Sequence, residues 1–364
     1  MARRTVLCEA QRAQGGKLID FHGWEMAVQF AGIAAEHQCV RTACGAFDLG
    51  HMGRVQVDGA GALAFLSQRV CRRLDDIRAG QVRYGLVLAD DGTVEDDVLV
   101  SCQGADSFHV VVNAGNRERI LELWRDDARR AGLSLVDLTD SQAMIAVQGP
   151  LAAGVLQALG LDSGGLRYYA FAERPWKAGT GQEVSVRLSR TGYTGEDGFE
   201  CFLPAHHAVL FWQQLMANGA RPCGLGARDS LRLEAGMPLY GHELDRSVTP
   251  VEAGLGFAVN PAGGFTGAAV VLEQLRAGPP RRLVGVSVPE RRVPRQGYPV
   301  LSAGTPVGRI TSGTLSPTLG TAIGMAYVPA VLAAPGTALG IDVRGTVVAA
   351  EVVPLPFYKR AKKL

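Results

Sequence analysis

The sequence predicts an α+β protein that ends in a separate small all-β module, and three observations carry that prediction. Helix-like and strand-like periodicities interleave up to about residue 280; beyond it only short apolar strands remain; and the two regions meet at RAGPPRR (276–282), where Gly-Pro-Pro and flanking charges mark a linker. With 364 residues, 47% hydrophobic and 20% charged, the chain carries enough apolar surface for about two or three domains and lies outside the composition range of disordered chains. Its 46 glycines follow no Gly-X-Y period, so they mean many tight turns.

In chain order, residues 31–45 place apolar side chains at helical spacing, in a helix expected to end at Gly45. Residues 53–58 alternate as a strand, and DGAGALA (58–64) turns from it into a helix. Gly59, Gly61 and Ala64 match the spacing of a dinucleotide-binding turn, with Asp75 or Asp76 as the ribose acid. The closely spaced strands that follow, at 82–89, 94–101 and 107–113, look antiparallel and favour a plain strand-to-helix turn. A helix is expected over 118–131, strands over 143–148 and 183–189, and helices over 205–218 and 223–236, the last closed by Gly236 with Pro238 beyond it. LVGVSV, GYPVL, PVGRITSG, TAIGMAYV and ALGIDVRGTVVAAEVV then read as strands of a small barrel or sandwich, with no helix between them.

Thirty-seven basic against 35 acidic residues leave a net charge of +2, which supplies no bulk field for nucleic acid or an anionic membrane. No apolar run approaches the ~18 residues of a membrane span. The twin arginine at the start is followed by Glu9, Gln11 and Arg12 in place of an apolar stretch, so the expectation is a cytoplasmic chain with nothing to cleave. The seven cysteines, at 8, 39, 44, 71, 102, 201 and 223, form no C-x-x-C pair and read as buried reduced thiols. Apart from the adjacent His206 and His207 at a helix start, the histidines show no metal-ligand spacing, and no metal is expected. P-loop, H-E-x-x-H, EF-hand and G-x-S-x-G patterns are absent, leaving nucleophilic hydrolysis without support.

Three stretches do not read as ordinary core. In DDGTVEDDVLV (90–100), Asp96 and Asp97 enter an apolar strand, so alternation turns one carboxylate inward, where it needs a partner; a turn aspartate capping backbone N–H groups is the plainer account. SRTGYTGEDGFECFLP (189–204) is either a glycine-rich turn presenting Tyr193 and Glu200 to a ligand or a decorated β-hairpin. GLGARDSLRLEAGMPLYGHEL (224–244) places Arg228 in the first turn of a helix, where the macrodipole disfavours a cation and an anionic partner would be welcome.

These strings, with DFHGWEM (20–26), EHQCVRTACGAFDLGHMG (36–53), VVNAGN (111–116), AVQGP (146–150), TSGTLSPTLG (311–320) and PFYKR (356–360), closely resemble the aminomethyltransferases of the glycine cleavage system, the T-protein family, nearly end to end. The resemblance implies transfer of the aminomethyl group from the lipoyl arm of H-protein to tetrahydrofolate, giving 5,10-methylenetetrahydrofolate, ammonia and dihydrolipoyl H-protein. It implies a three-domain cloverleaf around a central folate channel: residues 1–280 as two intertwined α+β domains, the smaller at roughly 53–140, and 281–364 as the barrel. Tetrahydrofolate and H-protein are the implied partners.

By motif, Glu200 is implied to accept the pterin amino group and ring N–H together, as a carboxylate does. Met52, Tyr84 and Tyr193 would line the ring, Val112 and Asn113 would supply polar contacts, and Arg228 would meet the ligand's carboxylates. Tyr358 belongs to the same site through the tail motif, and Asp97 is the implied catalytic residue. The chain departs from the family's pattern at Gly50, where Ser is usual in DVSHMG, and at Gln11, where His is usual. Folate-dependent demethylases of the same fold, acting on sulfonium or N-methyl compounds, and folate-binding accessory proteins are the alternative reading. Arginines 281, 282, 291, 292 and 295 form a basic stretch that is either a solvated run or a dock for an acidic carrier.

Overall fold

The computed structural model describes residues 2–179, 181–290 and 292–361, so Arg291 of the basic stretch lies outside them. It divides into two compact units: Met1–Leu66, Leu74–Tyr84 and Val98–Asp229 form the first, and Ser67–Arg73, Gly85–Asp97 and Ser230–Leu364 the second.

The first unit is centred on a six-stranded sheet in the order Phe171–Ala178, Gln182–Ser189, Gly198–Pro204, Gln142–Gln148, Gly45–Asp48, Arg221–Pro222. Gln142–Gln148 (QAMIAVQ) is buried along almost its whole length because it is covered on both faces, which is why it reads as a continuous apolar run. Ile145, Val147, Phe199, Cys201 and Leu203 from the sheet pack with Phe211, Trp212 and Leu215 of the helix Ala208–Ala217. Two buried indoles have their donors satisfied, Trp176 on Gln214 (3.0 Å) and Trp212 on Gln14 (2.9 Å).

Two expectations are corrected here. The helix expected over 31–45 runs Ile33–Thr42 and stops short of Gly45, which opens the strand Gly45–Asp48. A Cβ on Gly45 would lie 2.5 Å from the Val40 side chain and 2.8 Å from Cys223 Sγ, so this glycine serves the close approach of strand to helix and does not cap the helix. The start of that helix lacks a side-chain cap from its first residues; the buried Glu36 carboxylate instead takes the N–H groups of Phe30 (2.6 Å), Gly32 (3.0 Å) and Gly224 (2.8 Å). Farther on, the residues expected to begin the 205–218 helix form a single 3-10 turn, Ala205–His207, ahead of Ala208–Ala217.

A five-stranded sheet, ordered Val82–Leu88, Val94–Gly104, Ser107–Val112, Gly53–Asp58, Ser134–Asp137, contributes the strands on either side of DGAGALA. Gly53–Asp58 pairs antiparallel with both Ser107–Val112 and Ser134–Asp137, so no parallel β-α-β unit forms and the dinucleotide reading fails. Gly59 at φ +128° makes the turn into the helix Ala62–Arg69.

In the second unit the strands after residue 280 close into a barrel: Arg281–Val288, Ala322–Pro329, Thr305–Leu315, Pro299–Ser302, Ala338–Val343, Thr346–Val353, and back to the first. Val284, Val286, Val300, Ile310, Ile341 and Val352 fill it. Gly308 sits where a Cβ would lie 1.9 Å from the Tyr327 carbonyl oxygen, which lets neighbouring strands touch. One 3-10 turn, Ala330–Leu332, interrupts the otherwise helix-free series. The helix Leu225–Glu234 is followed by Gly236 at φ +65°, with Gly236 N–H on the Leu233 carbonyl and Met237 N–H on that of Arg232 (2.9 Å each). Among the described residues no helix is long and apolar enough to cross a membrane, and all seven cysteines are free.

Candidate active site

The SRTGYTGEDGFECFLP stretch is a hairpin whose strands, Gln182–Ser189 and Gly198–Pro204, flank a glycine-rich loop. Glu200 lies opposite Ser189 on one side and Ala146 on the other, and is only 4% exposed. Its carboxylate accepts a hydrogen bond from Thr191 Oγ1 at 2.5 Å, and the Thr191 hydroxyl is in turn 3.0 Å from Ser189 Oγ. Burial raises the Glu200 pKa above the usual carboxylate range, partly countered by the Thr191 hydroxyl and the positive charge of Arg228. The Arg228 guanidinium stands over the Tyr193 ring, 4.7 Å from its centroid. Three residues singled out in the sequence, Tyr193, Glu200 and Arg228, are thus brought together: a buried acid, a cation and an aromatic face.

The loop that carries Tyr193 is held by two residues that sequence reasoning missed. Gln148, 1% exposed, donates its amide to the carbonyls of Thr191 (3.2 Å) and Phe199 (3.3 Å) and accepts from Thr194 Oγ1 (3.0 Å). A Cβ on Gly192 would fall 2.1 Å from Gln148 Oε1, so the glycine leaves room for that amide. Arg41 donates to the Thr194 carbonyl (2.7 Å) and pairs with Glu196 (3.1 Å), with both side chains nearly inaccessible. Nearer the surface, Arg190 grips Asp197 with two bonds of 3.0 and 2.6 Å. Gln148 and Arg41 sit inside the quoted strings AVQGP and EHQCVRTACG, but nothing about their spacing marks them as loop anchors.

Met52, Val112 and Asn113 meet at another edge of the same unit. Met52 ends a tight turn, its N–H on the Leu49 carbonyl at 3.0 Å, and the next residue, Gly53, pairs with Val112. A Cβ on Gly53 would lie 2.5 Å from the Val112 side chain, so Met52 is carried close to that strand end. Val112 is buried, while Met52 and Asn113 are half-buried, Asn113 leading into the 3-10 turn Ala114–Asn116. Tyr84, in the strand Val82–Leu88, is also half-buried.

Asp97 and Tyr358 belong to the second unit. Of the two aspartates in VEDDV, Asp96 is fully buried and Asp97 half-exposed, although burial does not alternate strictly along the whole string. Glu95, also buried, pairs with Arg246 at 3.2 Å, and burial together with the acids Asp96 and Glu95 pushes the Tyr240 phenol up to about 12. Tyr358 donates its backbone N–H to the Glu234 carbonyl at 2.8 Å. The buried Glu234 carboxylate takes the N–H and hydroxyl of Thr318 (3.0 and 2.7 Å) and the Ser316 hydroxyl, tying the TLSPT turn to the same point.

Comparison with known proteins identifies the family. Residues 7–262 match the family model described as GCVT N-terminal domain, and residues 281–359 match that of the glycine cleavage T-protein C-terminal barrel domain. The chain is 45% identical over 369 residues to an aminomethyltransferase of Geobacillus kaustophilus and 44% identical to that of Geobacillus thermodenitrificans, covering 100% of each chain in both cases. It superimposes on the crystal structure of the glycine cleavage system aminomethyltransferase T from Bartonella henselae with a TM-score of 0.92, at 32% identity and 99% coverage of both chains. The chain therefore belongs to the glycine cleavage T-protein family and is an aminomethyltransferase.

Proposed function

We propose that the transfer uses tetrahydrofolate as acceptor and that Glu200, Tyr193 and Arg228 form the core of its binding site. The observation that carries this reading is Glu200: a buried carboxylate with a single hydroxyl donor on it and a cation nearby retains acceptor capacity for the paired N–H donors of a pterin. Met52 and Tyr84 would line the ring, Val112 through its backbone and Asn113 through its amide would supply polar contacts, and Tyr358 a contribution from the tail. Residues 1–280 are proposed to hold the folate site and 281–364 to form the barrel domain. An aminomethylated lipoyl carrier, the H-protein, is the proposed donor, tetrahydrofolate is a substrate and not a resident cofactor, no metal takes part, and the proposed compartment is the cytoplasm.

In the reaction one folate nitrogen takes the methylene carbon as ammonia leaves, and the second nitrogen then displaces the lipoyl thiol. Two C–N bonds form, one C–N and one C–S bond break, and the two folate N–H protons leave with the ammonia and the thiol. No enzyme nucleophile is needed. The protein's work is to align the reactants, exclude water from an iminium-like carbon and stabilise its positive charge. Asp97, half-exposed beside buried acids, is the group proposed for the last task and for hydrogen bonding to the attacking amine.

The test is incubation of the purified protein with aminomethyl-lipoyl H-protein and tetrahydrofolate, following ammonia and methylenetetrahydrofolate together. Equal yields of both, abolished in Asp97→Asn with folate binding kept, are expected. Folate binding without either product would move the chain to the demethylating or accessory relatives.

A further inference from the structure

The turn Leu49–Met52 is held more firmly than a surface turn requires. Asp48, 6% exposed, accepts the N–H of Gly50 (2.8 Å), the hydroxyl of Thr5 (2.6 Å) and the amide of Gln11. Arg54, fully buried, spends its guanidinium on the carbonyls of Gly50 (3.2 and 3.3 Å), Met52 and Thr139. Both backbone polar groups of Gly50 are thereby fixed by buried charged side chains, and so is the carbonyl of Met52. Between them stands His51, 3% exposed, packed edge-on against Phe21 at 5.7 Å.

The His51 Nδ1 atom is buried without a hydrogen-bond partner among the described residues. Leaving such an atom unpaired is costly, so an imidazole held this rigidly calls for a partner that arrives from outside the chain. The charged groups acting on it are Arg228, Arg54 and His22, all cationic or neutral bases, and together with burial they keep the ring neutral. A neutral imidazole carries a single N–H; in the tautomer with that proton on Nδ1 it donates to an acceptor, and the acceptor that also suits Arg228 is a carboxylate oxygen.

We propose that His51 is a ligand-contacting residue whose Nδ1–H donates to a carboxylate oxygen of the bound folate, sharing that group with Arg228. The proposal rests on the reading of Glu200 and Arg228 as the folate site. The buried turn then has a purpose: it delivers Met52 and His51 together to one ligand.

The test compares His51→Leu, which removes the donor, with His51→Asn, whose amide nitrogen falls near the position of Nδ1. Tetrahydrofolate binding is measured by intrinsic fluorescence under anaerobic conditions, beside thermal melting. His51→Leu should weaken affinity roughly tenfold with little change in melting temperature, raising KM with kcat largely kept, and His51→Asn should recover most of the loss. Affinity within twofold of the unmodified protein in a folded His51→Leu overturns the proposal. Should that variant not fold, 15N spectra of the unmodified protein decide: a His51 Nδ1 resonance, assigned with His51→Asn, that stays put at saturating tetrahydrofolate overturns it equally. Glu200→Gln separates the two levels. If Glu200→Gln loses affinity and His51→Leu does not, only the role of His51 falls; if neither does, the folate site itself is misplaced.

Discussion

Replacing Glu200 by glutamine isolates the charge of the proposed pterin acceptor from its shape. The carboxylate is 4% exposed, with the Thr191 hydroxyl at 2.5 Å and the positive charge of Arg228 acting on it. In the free protein this is an unfavourable arrangement, since burial raises the pKa above the ordinary 4.5. A folded-state pKa above the unfolded one contributes stability below about pH 4.5, and that contribution is lost as pH rises through the folded-state value. At neutral pH Glu200→Gln should therefore melt at the same temperature as the parent or higher, and the difference should shrink toward pH 4. Binding should change in the opposite sense. Two charge-assisted hydrogen bonds to the ligand, roughly 1.5–3 kcal/mol each, become one neutral bond and one N–H facing N–H, a net loss of about 3–4 kcal/mol. That corresponds to a Kd for tetrahydrofolate weaker by about two to three orders of magnitude. Isothermal titration under anaerobic conditions and melting at pH 4 and 7 measure both halves. A variant that melts lower at pH 7 yet binds tetrahydrofolate with unchanged Kd would refute the assignment, because Glu200 would then be a structural carboxylate.

Other perturbations follow from the scaffold. Gln148→Leu leaves the carbonyls of Thr191 and Phe199 and the Thr194 hydroxyl without their partner, a loss of roughly 2–4 kcal/mol. It should also weaken folate binding through the loop, whereas an unchanged melting temperature would mean that water replaces the amide. Arg41→Met strands a buried Glu196 and should cost about 3–5 kcal/mol. Arg190→Met, whose pair with Asp197 is a third exposed on each side chain, should cost no more than about 1 kcal/mol after solvent screening; equal losses in the two variants would sink the distinction. Gly50→Ser should destabilise by about 1–2 kcal/mol, because a Cβ there lies 3.0 Å from both Asp48 Oδ1 and Thr5. Combined with Gln11→His it should deviate from additivity by more than about 0.5 kcal/mol, and simple additivity in denaturant unfolding would show the two positions to be independent.

Periodicity alone was enough to locate most elements and the change to an all-β region, because it reports which face of an element is buried. A separate all-β module, barrel or sandwich, was legible in the short strands after residue 280, and the antiparallel sheet behind DGAGALA in the close spacing of 82–89, 94–101 and 107–113, which left no room for crossover helices. The misplaced helix end at Gly45 has a physical origin: glycine after a helical run signals a cap, yet this one answers to Val40 and Cys223, a contact no local pattern announces. The same limit governs the site. Tyr193, Glu200 and Arg228 stood out because a glycine-rich hairpin and a cation in a helix's first turn are locally anomalous. Gln148 and Arg41 are locally ordinary and act only across long sequence separations, Arg41 on Thr194 and Gln148 on Thr191.

The departures at positions 11 and 50, unrelated in sequence, converge on one buried carboxylate. Gln11 donates its amide to one oxygen of Asp48, and Gly50 donates its N–H to the other while leaving open the space a serine Cβ would fill. Burial already raises the Asp48 pKa, and only its donors, Thr5, Gly50 and Gln11, with the charge of Arg54, hold it back. Changing one donor at such a group alters the hydrogen bonding and the room available to the others, so a substitution at 11 is felt at 50 through the position of the carboxylate. Asp48 in turn fixes the N–H of Gly50, the residue before His51 and Met52. A pair of replacements that keeps this carboxylate bonded on both oxygens can pass without disturbing the turn, whereas either one alone would shift the residues proposed to touch the ligand.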